Sequence, residues 1–161
     1  GGASGQTRGV LLASPNRLTL SYRHGSKHSE NEMIFAKIGA VAYSLWSLLH
    51  IALGVERLVA RADAGMLSEA AGRLAQGHWT LIWVGVLGLG LSWYNWRNNT
   101  VAYWLSAFVI SVEDVGFLLF PVWQGGLGLP AAAIGPGLWI IGLVFTTIAY
   151  VSTRPQPSDS T

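Results

Sequence analysis

The chain has 161 residues, of which 51% are hydrophobic and 11% charged, with ten Lys and Arg, eight Asp and Glu, and no Cys. A soluble domain carries about 25% charged residues, so this composition excludes a disordered chain, a nucleic-acid binder and a disulfide scaffold and points to a polytopic membrane protein. The net charge of +2 belongs to the N-terminal stretch, because from Met33 onward six basic residues stand against six acidic ones.

Residues 1–32 are rich in Gly, Ser, Arg and His and show no sustained apolar period. By composition they form a disordered tail. They lack the apolar core and small-residue cleavage site of a signal peptide. Met33 directly precedes the first apolar run and is the expected native start. The expected domain is a transmembrane unit over 33–152, followed by a short disordered tail at 153–161.

Four apolar segments follow the first tail: Ile34–Leu58, Leu74–Asn95, Thr100–Pro121 and Ala131–Val151. Each is near the ~20 residues that a hydrocarbon core demands. Backbone groups in lipid must pair within the chain, so the segments are predicted to be helices. The stretch Arg61–Arg73 is polar and Ala-rich, with room for an interfacial turn of helix. Trp96–Asn99 reads as a tight turn, and Gln124–Pro130 as a Gly/Pro loop. Short loops make antiparallel neighbours, so the predicted fold is all-α, a four-helix up-down-up-down transmembrane bundle.

Tryptophan placement fits the spans. Trp79 and Trp83 mark one end of the second helix, Trp93 and Trp96 the other, and Trp104 and Trp123 flank the third. These form an interfacial belt. Trp46 and Trp139 fall outside it and are expected to pack inside or to face acyl chains.

The polar residues deep in the spans are His50, His78, Glu113 and Asp114. Lys37, Glu56 and Arg57 lie at span ends, where long side chains reach the interface cheaply. A rise of ~1.5 Å per residue puts His50 ~24 Å from Ile34, Glu113 and Asp114 ~20 Å from Thr100, and His78 ~26 Å from Asn95. All four then fall at one depth, in the outer third of the bundle. Tyr43, Ser47, His50, Gly54 and Arg57 form one stripe of polar and small residues, as at helix–helix contacts. Ala102, Ser106, Val109, Glu113 and Gly116 repeat that spacing, which turns Glu113 inward and sets Asp114 ~100° aside, with Tyr103, Ala107 and Phe117. Gly135, Trp139, Gly142 and Thr146 make a packing face on the fourth helix.

This arithmetic predicts a pocket of His50, His78, Glu113 and Asp114, supported by Tyr43, Ser47 and Ser106. Imidazole beside carboxylate suits proton relay. A divalent metal also takes such ligands, but no His-x-x-x-His or Glu-x-x-His spacing is present, so no metal and no cofactor are expected. The plain alternative is an interhelical network that only fixes packing. No nucleophile with an oxyanion site is arguable, and catalytic residues stay unassigned. The Gly85–Gly90 run lies mid-span with no Lys after it and reads as helix packing.

The phrases Leu48-Leu49-His50, Ser92 to Asn98, Tyr103-Trp104, Asp114 to Phe117 and Gly135 to Trp139 resemble a group of small bacterial four-helix membrane proteins of unknown function, over Met33 to Val151. Size and span count are also similar to the DoxX-like proteins, without a motif specific to those. The resemblance implies four spans in a bacterial inner membrane and no particular activity. The expected function is that of a small accessory or interaction subunit in the lipid bilayer, with a membrane-protein partner or a second copy of itself and no nucleic acid. A carrier or ligand-binding protein using the pocket, and an intramembrane acid–base enzyme, are the alternatives.

Orientation follows from charge. Seven Lys and Arg lie on the side of the termini and three on the other, or three against three if the chain starts at Met33. Lys and Arg favour the cytoplasmic face, which predicts that both termini are cytoplasmic. A single Cys placed at Asn98 should therefore resist an impermeant thiol reagent added to intact cells and react once the membrane is opened. Labelling in intact cells would invert the topology.

Overall fold

A computed structural model describes residues 15–64, 68–125 and 128–154. Its elements are helices α1 (Pro15–Ala64), α2 (Glu69–Asn95), α3 (Thr100–Phe117) and α4 (Leu129–Ser152), with one π-helical turn, Leu118–Val122, continuing α3. Among the described residues there is no strand. All four helices are long and apolar enough to cross a membrane, over Met33–Asp63, Glu69–Asn95, Thr100–Val122 and Ala132–Ser152.

Local chemistry sets the ends. Ser68 caps α2 by accepting a hydrogen bond from the Ala71 amide at 3.1 Å, and Asn99 caps α3 through the Ala102 amide at 3.0 Å. Both satisfy amides that a helix start leaves without a partner. Between α2 and α3 the chain reverses at Asn98, whose φ of 53° lies in the left-handed region that Asn tolerates better than most residues. Proline near the start of α4 suits a position whose amide needs no partner. Pro121 has no amide to donate, and here the Trp123 amide reaches back to the Leu118 carbonyl at 2.9 Å. That is a π-type bond, one residue longer than the α-helical one.

Two expectations shift. Helical backbone begins at Pro15, where an irregular tail is expected over 15–32. Pro15 is pre-set for a helix start, and extending an existing helix needs no new nucleus. Residues 1–14 and 155–161, which hold the rest of the expected tails, lie outside the described residues. The polar stretch Arg61–Arg73 is taken up largely by extension of α1 and α2.

Helix α1 is the centre of the assembly, packed most extensively against α2 and α4, while α3 touches α2 and α4 more lightly. The contacts are glycine-lined. A methyl on Gly85 of α2 would stand 2.8 Å from the Ser47 carbonyl, and one on Gly54 of α1 would stand 2.9 Å from the His78 carbonyl. On the other flank a methyl on Gly142 of α4 would fall 2.6 Å from the Tyr43 ring, and one on Gly39 would fall 2.9 Å from the Thr146 amide. In both pairs the contacts climb one helix as they descend the other, which is the register of antiparallel neighbours. The core is Tyr43, Trp46 and Ile110, with Val84, Leu138 and Trp139 against it.

Tryptophans sort as their positions suggest. Trp79, Trp83, Trp93, Trp96, Trp104 and Trp123 are exposed, whereas Trp46 is fully buried. Trp139 is half-buried and donates from Nε1 to Ser111 Oγ at 2.9 Å, tying α4 to α3.

Close approach at these glycines makes a signed prediction. Gly85→Ala and Gly142→Ala should each cost about 1–3 kcal/mol, because backbone or an aromatic ring fills the space. Gly90→Ala meets nothing within 4 Å and should gain roughly 0.5–1 kcal/mol from helix propensity alone. Unfolding midpoints in one detergent would show the opposite signs.

Candidate functional site

The site is built on α1. Tyr43, Trp46, Ser47 and His50 lie on one face and are all buried. Ser47 Oγ turns back to the Tyr43 carbonyl at 2.7 Å, so its polar group is spent within the helix and its small body admits Gly85 and Gly88 of α2. His50 lies flat on the Trp46 indole, with ring centroids 3.7 Å apart, and its Nδ1 stands 2.8 Å from the Trp46 carbonyl. A carbonyl only accepts, so Nδ1 donates and Nε2 is the nitrogen left for chemistry.

Opposite this face is Asp114 of α3, 1% exposed. His50 Cε1 and Asp114 Oδ1 lie 3.7 and 3.8 Å from the single point where a side chain on Gly135 would begin. The imidazole and the carboxyl therefore both border that glycine, at a separation no greater than those two distances together. The Trp46 indole faces the same carboxyl without closing to hydrogen-bonding geometry. The Tyr43 hydroxyl lies beside Thr146. Among the described residues, Tyr43 Oη, Trp46 Nε1 and Asp114 Oδ2, and away from this centre His78 Nδ1, are buried and make no hydrogen bond with protein. Such atoms are uncommon in folded proteins and call for an explanation.

The four residues expected at one depth do not form one pocket. His50 and Asp114 both border Gly135. Glu113 does not join them: it is half-buried on the outer side of α3, in a shallow depression with Val112, Gly116, Phe117, Phe120 and Pro121. The buried residues of α3 are Ala102, Tyr103, Ser106, Ile110 and Asp114, which apart from Tyr103 fall at a spacing of four. The expected stripe stepped back by three after Ser106, to Val109, and so selected Glu113. An α-helix at 3.6 residues per turn permits either step, and the crossing with its neighbours decides. The acid that α3 buries is thus Asp114, where the stripe points to Glu113.

His78 is also apart. Its backbone sits against Gly54, one turn beyond His50, and its charged neighbours are Arg57 and Arg61. Ser106 is buried at the other end of α3, where its Oγ accepts from Asn95 Nδ2 at 2.7 Å, so it closes the α2–α3 turn and stays out of the centre. Among the described residues no three His, Asp or Glu side chains converge on a point that could hold a metal ion.

Sequence reasoning passed over Trp46, Thr146, Gly135 and Gly142 as members of the site. The signal for Trp46 was its spacing of four from His50. The glycines were read as packing, and they also leave the room in which the polar groups meet. Compared with known proteins, the chain matches no family model, no curated protein and no solved structure, so the sequence resemblance assigns no family.

The replacement of Glu113 by Asp114 is measurable. In a double-mutant cycle, His50→Ala and Asp114→Ala should couple by about 0.5–3 kcal/mol, as residues in one cluster do, while His50→Ala with Glu113→Ala should be additive within about 0.5 kcal/mol. Reversible unfolding in mixed micelles supplies the four stabilities of each cycle.

Proposed function

We propose that this is a small integral membrane protein of the carrier or ligand-binding type, whose buried His50–Asp114 centre exchanges a proton with water or a small polar solute. One observation carries the reading. An imidazole with a free nitrogen and a carboxyl both border Gly135 deep among apolar helices, and buried polar atoms of Tyr43, Trp46 and Asp114 are left unbonded by the protein. Ionisable groups inside a membrane are expensive to keep, and proton paths are a common reason for keeping them. A centre that served packing alone would gain more from closed hydrogen bonds, since an unmatched buried polar atom costs about 1–3 kcal/mol.

Two features limit the chemistry. Trp46 holds the ring of His50 flat, and the Nδ1 bond fixes its tautomer, so the proton enters and leaves at Nε2. Asp114 supplies the acid, with Tyr43 within its electrostatic reach. Nothing among these groups marks a covalent nucleophile, which favours binding and exchange over catalysis of bond cleavage.

A second reading, as an accessory or interaction subunit, draws on α3. It is the least buried of the four spans, and its outer face carries a shallow apolar groove along Ala107, Ser111, Val115 and Gly116. Small residues on an exposed span allow close approach of another helix.

In either reading we propose a bacterial cytoplasmic membrane, which the sequence resemblance supports, an up-down-up-down order of spans and cytoplasmic termini. Lys37, Arg97 and Arg154 stand at the end of the bundle that holds the α2–α3 turn and the end of α4, and with the four basic residues of 1–32 they make the seven-against-three excess on which the orientation rests.

The proton reading is tested in sealed vesicles holding the full chain and a trapped pH dye. After an acid step outside, the interior should acidify faster with the unaltered protein than with an equal inserted amount of Asp114→Asn or His50→Phe. Equal rates in all three would reject it and leave the interaction reading.

A further inference from the structure

The groove between α1 and α2 at the basic end of the bundle is separate from the His50–Asp114 centre. Its wall is formed by Ala40, Val41, Ser44, Leu89, Trp93 and Trp96, with Ser92 behind them. The two hydroxyls in this wall are turned away from it. Ser44 Oγ donates to the Ala40 carbonyl at 2.9 Å, and Ser92 Oγ donates to the Gly88 carbonyl at 2.7 Å. With both hydroxyls satisfied by backbone, the wall is largely carbon, which suits hydrocarbon.

Its mouth is cationic. Lys37 Nζ stands 5.5 Å from the centroid of the Trp96 ring, and the Arg97 guanidinium stands 5.0 Å from that of Trp93. The two tryptophans that line the groove are therefore the two that position its charges. Among the described residues the ion pair of this bundle, Arg73 with Glu69, lies at the far end of α2, and Arg57 and Arg61 there are interleaved with Glu56 and Asp63. At the groove end the acids of α1, Glu30 and Glu32, stand more than a turn before Lys37, and none lies on α2 beside Trp93 and Trp96. From Lys37 to Ser44 the helix rises ~10 Å, enough to shelter the upper part of one acyl chain.

We propose that this groove seats one anionic phospholipid, with an acyl chain between α1 and α2 and its phosphate held by Lys37 and Arg97. A phosphate diester is the ligand that a guanidinium and an ammonium recognise. Tryptophan rings at headgroup depth complete an interfacial site, and basic pockets between spans are where anionic lipids bind. The proposal is independent of the proton reading, since it uses none of its residues.

The full chain in a neutral detergent, titrated with dioleoylphosphatidylglycerol and weighed by native mass spectrometry, tests it. One lipid should stay bound under activation that strips dioleoylphosphatidylcholine. Two interfacial charges at roughly fivefold each predict roughly 30-fold weaker retention in Lys37→Gln/Arg97→Gln, and no change in Arg57→Gln/Arg61→Gln. With the unaltered chain, dihexanoylphosphatidylglycerol and inorganic phosphate should bind far less than the long-chain lipid, because neither fills the groove. Equal retention of the two dioleoyl lipids, equal loss in both double variants, or phosphate binding as well as the long-chain lipid would each overturn the site.

Discussion

Hydrocarbon outside a membrane helix is as apolar as the side chains within, so burial alone does not hold spans together. Close approach must do it, and in this protein close approach is concentrated on α1. Its faces meet glycine on both flanks: Gly85 and Gly88 of α2 lie on Ser47, and Gly142 of α4 lies on the Tyr43 ring. Besides Ile110 in the core and Tyr103 stacked on Tyr150, side-chain hydrogen bonds tie α3 to its neighbours. Asn95 reaches Ser106, Tyr103 meets Thr147, Trp104 reaches Tyr150 and Trp139 reaches Ser111. The assembly thus divides into a tightly packed trio around α1 and a fourth span attached by polar bonds along its length.

That division explains where the polar centre lies. A large buried aromatic such as Tyr43 or Trp46 leaves space only if something small stands opposite, and Gly135 and Gly142, seven residues apart on one face of α4, are opposite. Asp114 enters this space from the more lightly held α3. The groove at the basic end has the contrary character. The hydroxyls of its wall are spent on backbone carbonyls, and it carries its charges at the rim. One molecule therefore combines a polar interior with an apolar surface cleft, each set by which hydroxyls find a carbonyl within their own helix.

The class of fold was legible because the bilayer imposes length and apolarity on each span, and these are properties of composition. The stripe on α1 was legible as well, since Tyr43, Ser47, His50 and Gly54 are all buried, as was the packing face of α4. On α3 the reading fails at one step. Val109 and Ile110 are both apolar, so composition does not say which faces in, and the choice carries forward to Glu113 or Asp114. Depth was estimated along each helix separately, which takes no account of the offset between helices. His78 consequently lies beside Gly54, a turn away from His50. The part of Trp46 in the site was hidden because a tryptophan in a span reads first as bulk.

The placement of Asp114 has a consequence for how the chain is made. Spans enter the bilayer in order of synthesis, and α3 arrives carrying two adjacent acids in its last turn. A carboxylate at mid-membrane costs about 2.5–3.5 kcal/mol on insertion, and the face of α4 that borders Asp114 has not yet been translated. The groups already waiting are on α1, where His50 and Trp46 can receive the carboxyl as α3 comes in. Gly135 then closes over the pair when the last span is released. Of the spans made before it, α3 packs chiefly on α2, through Asn95 and Ser106, so the second helix seats the third while α1 offers the polar side chains nearest its carboxyl.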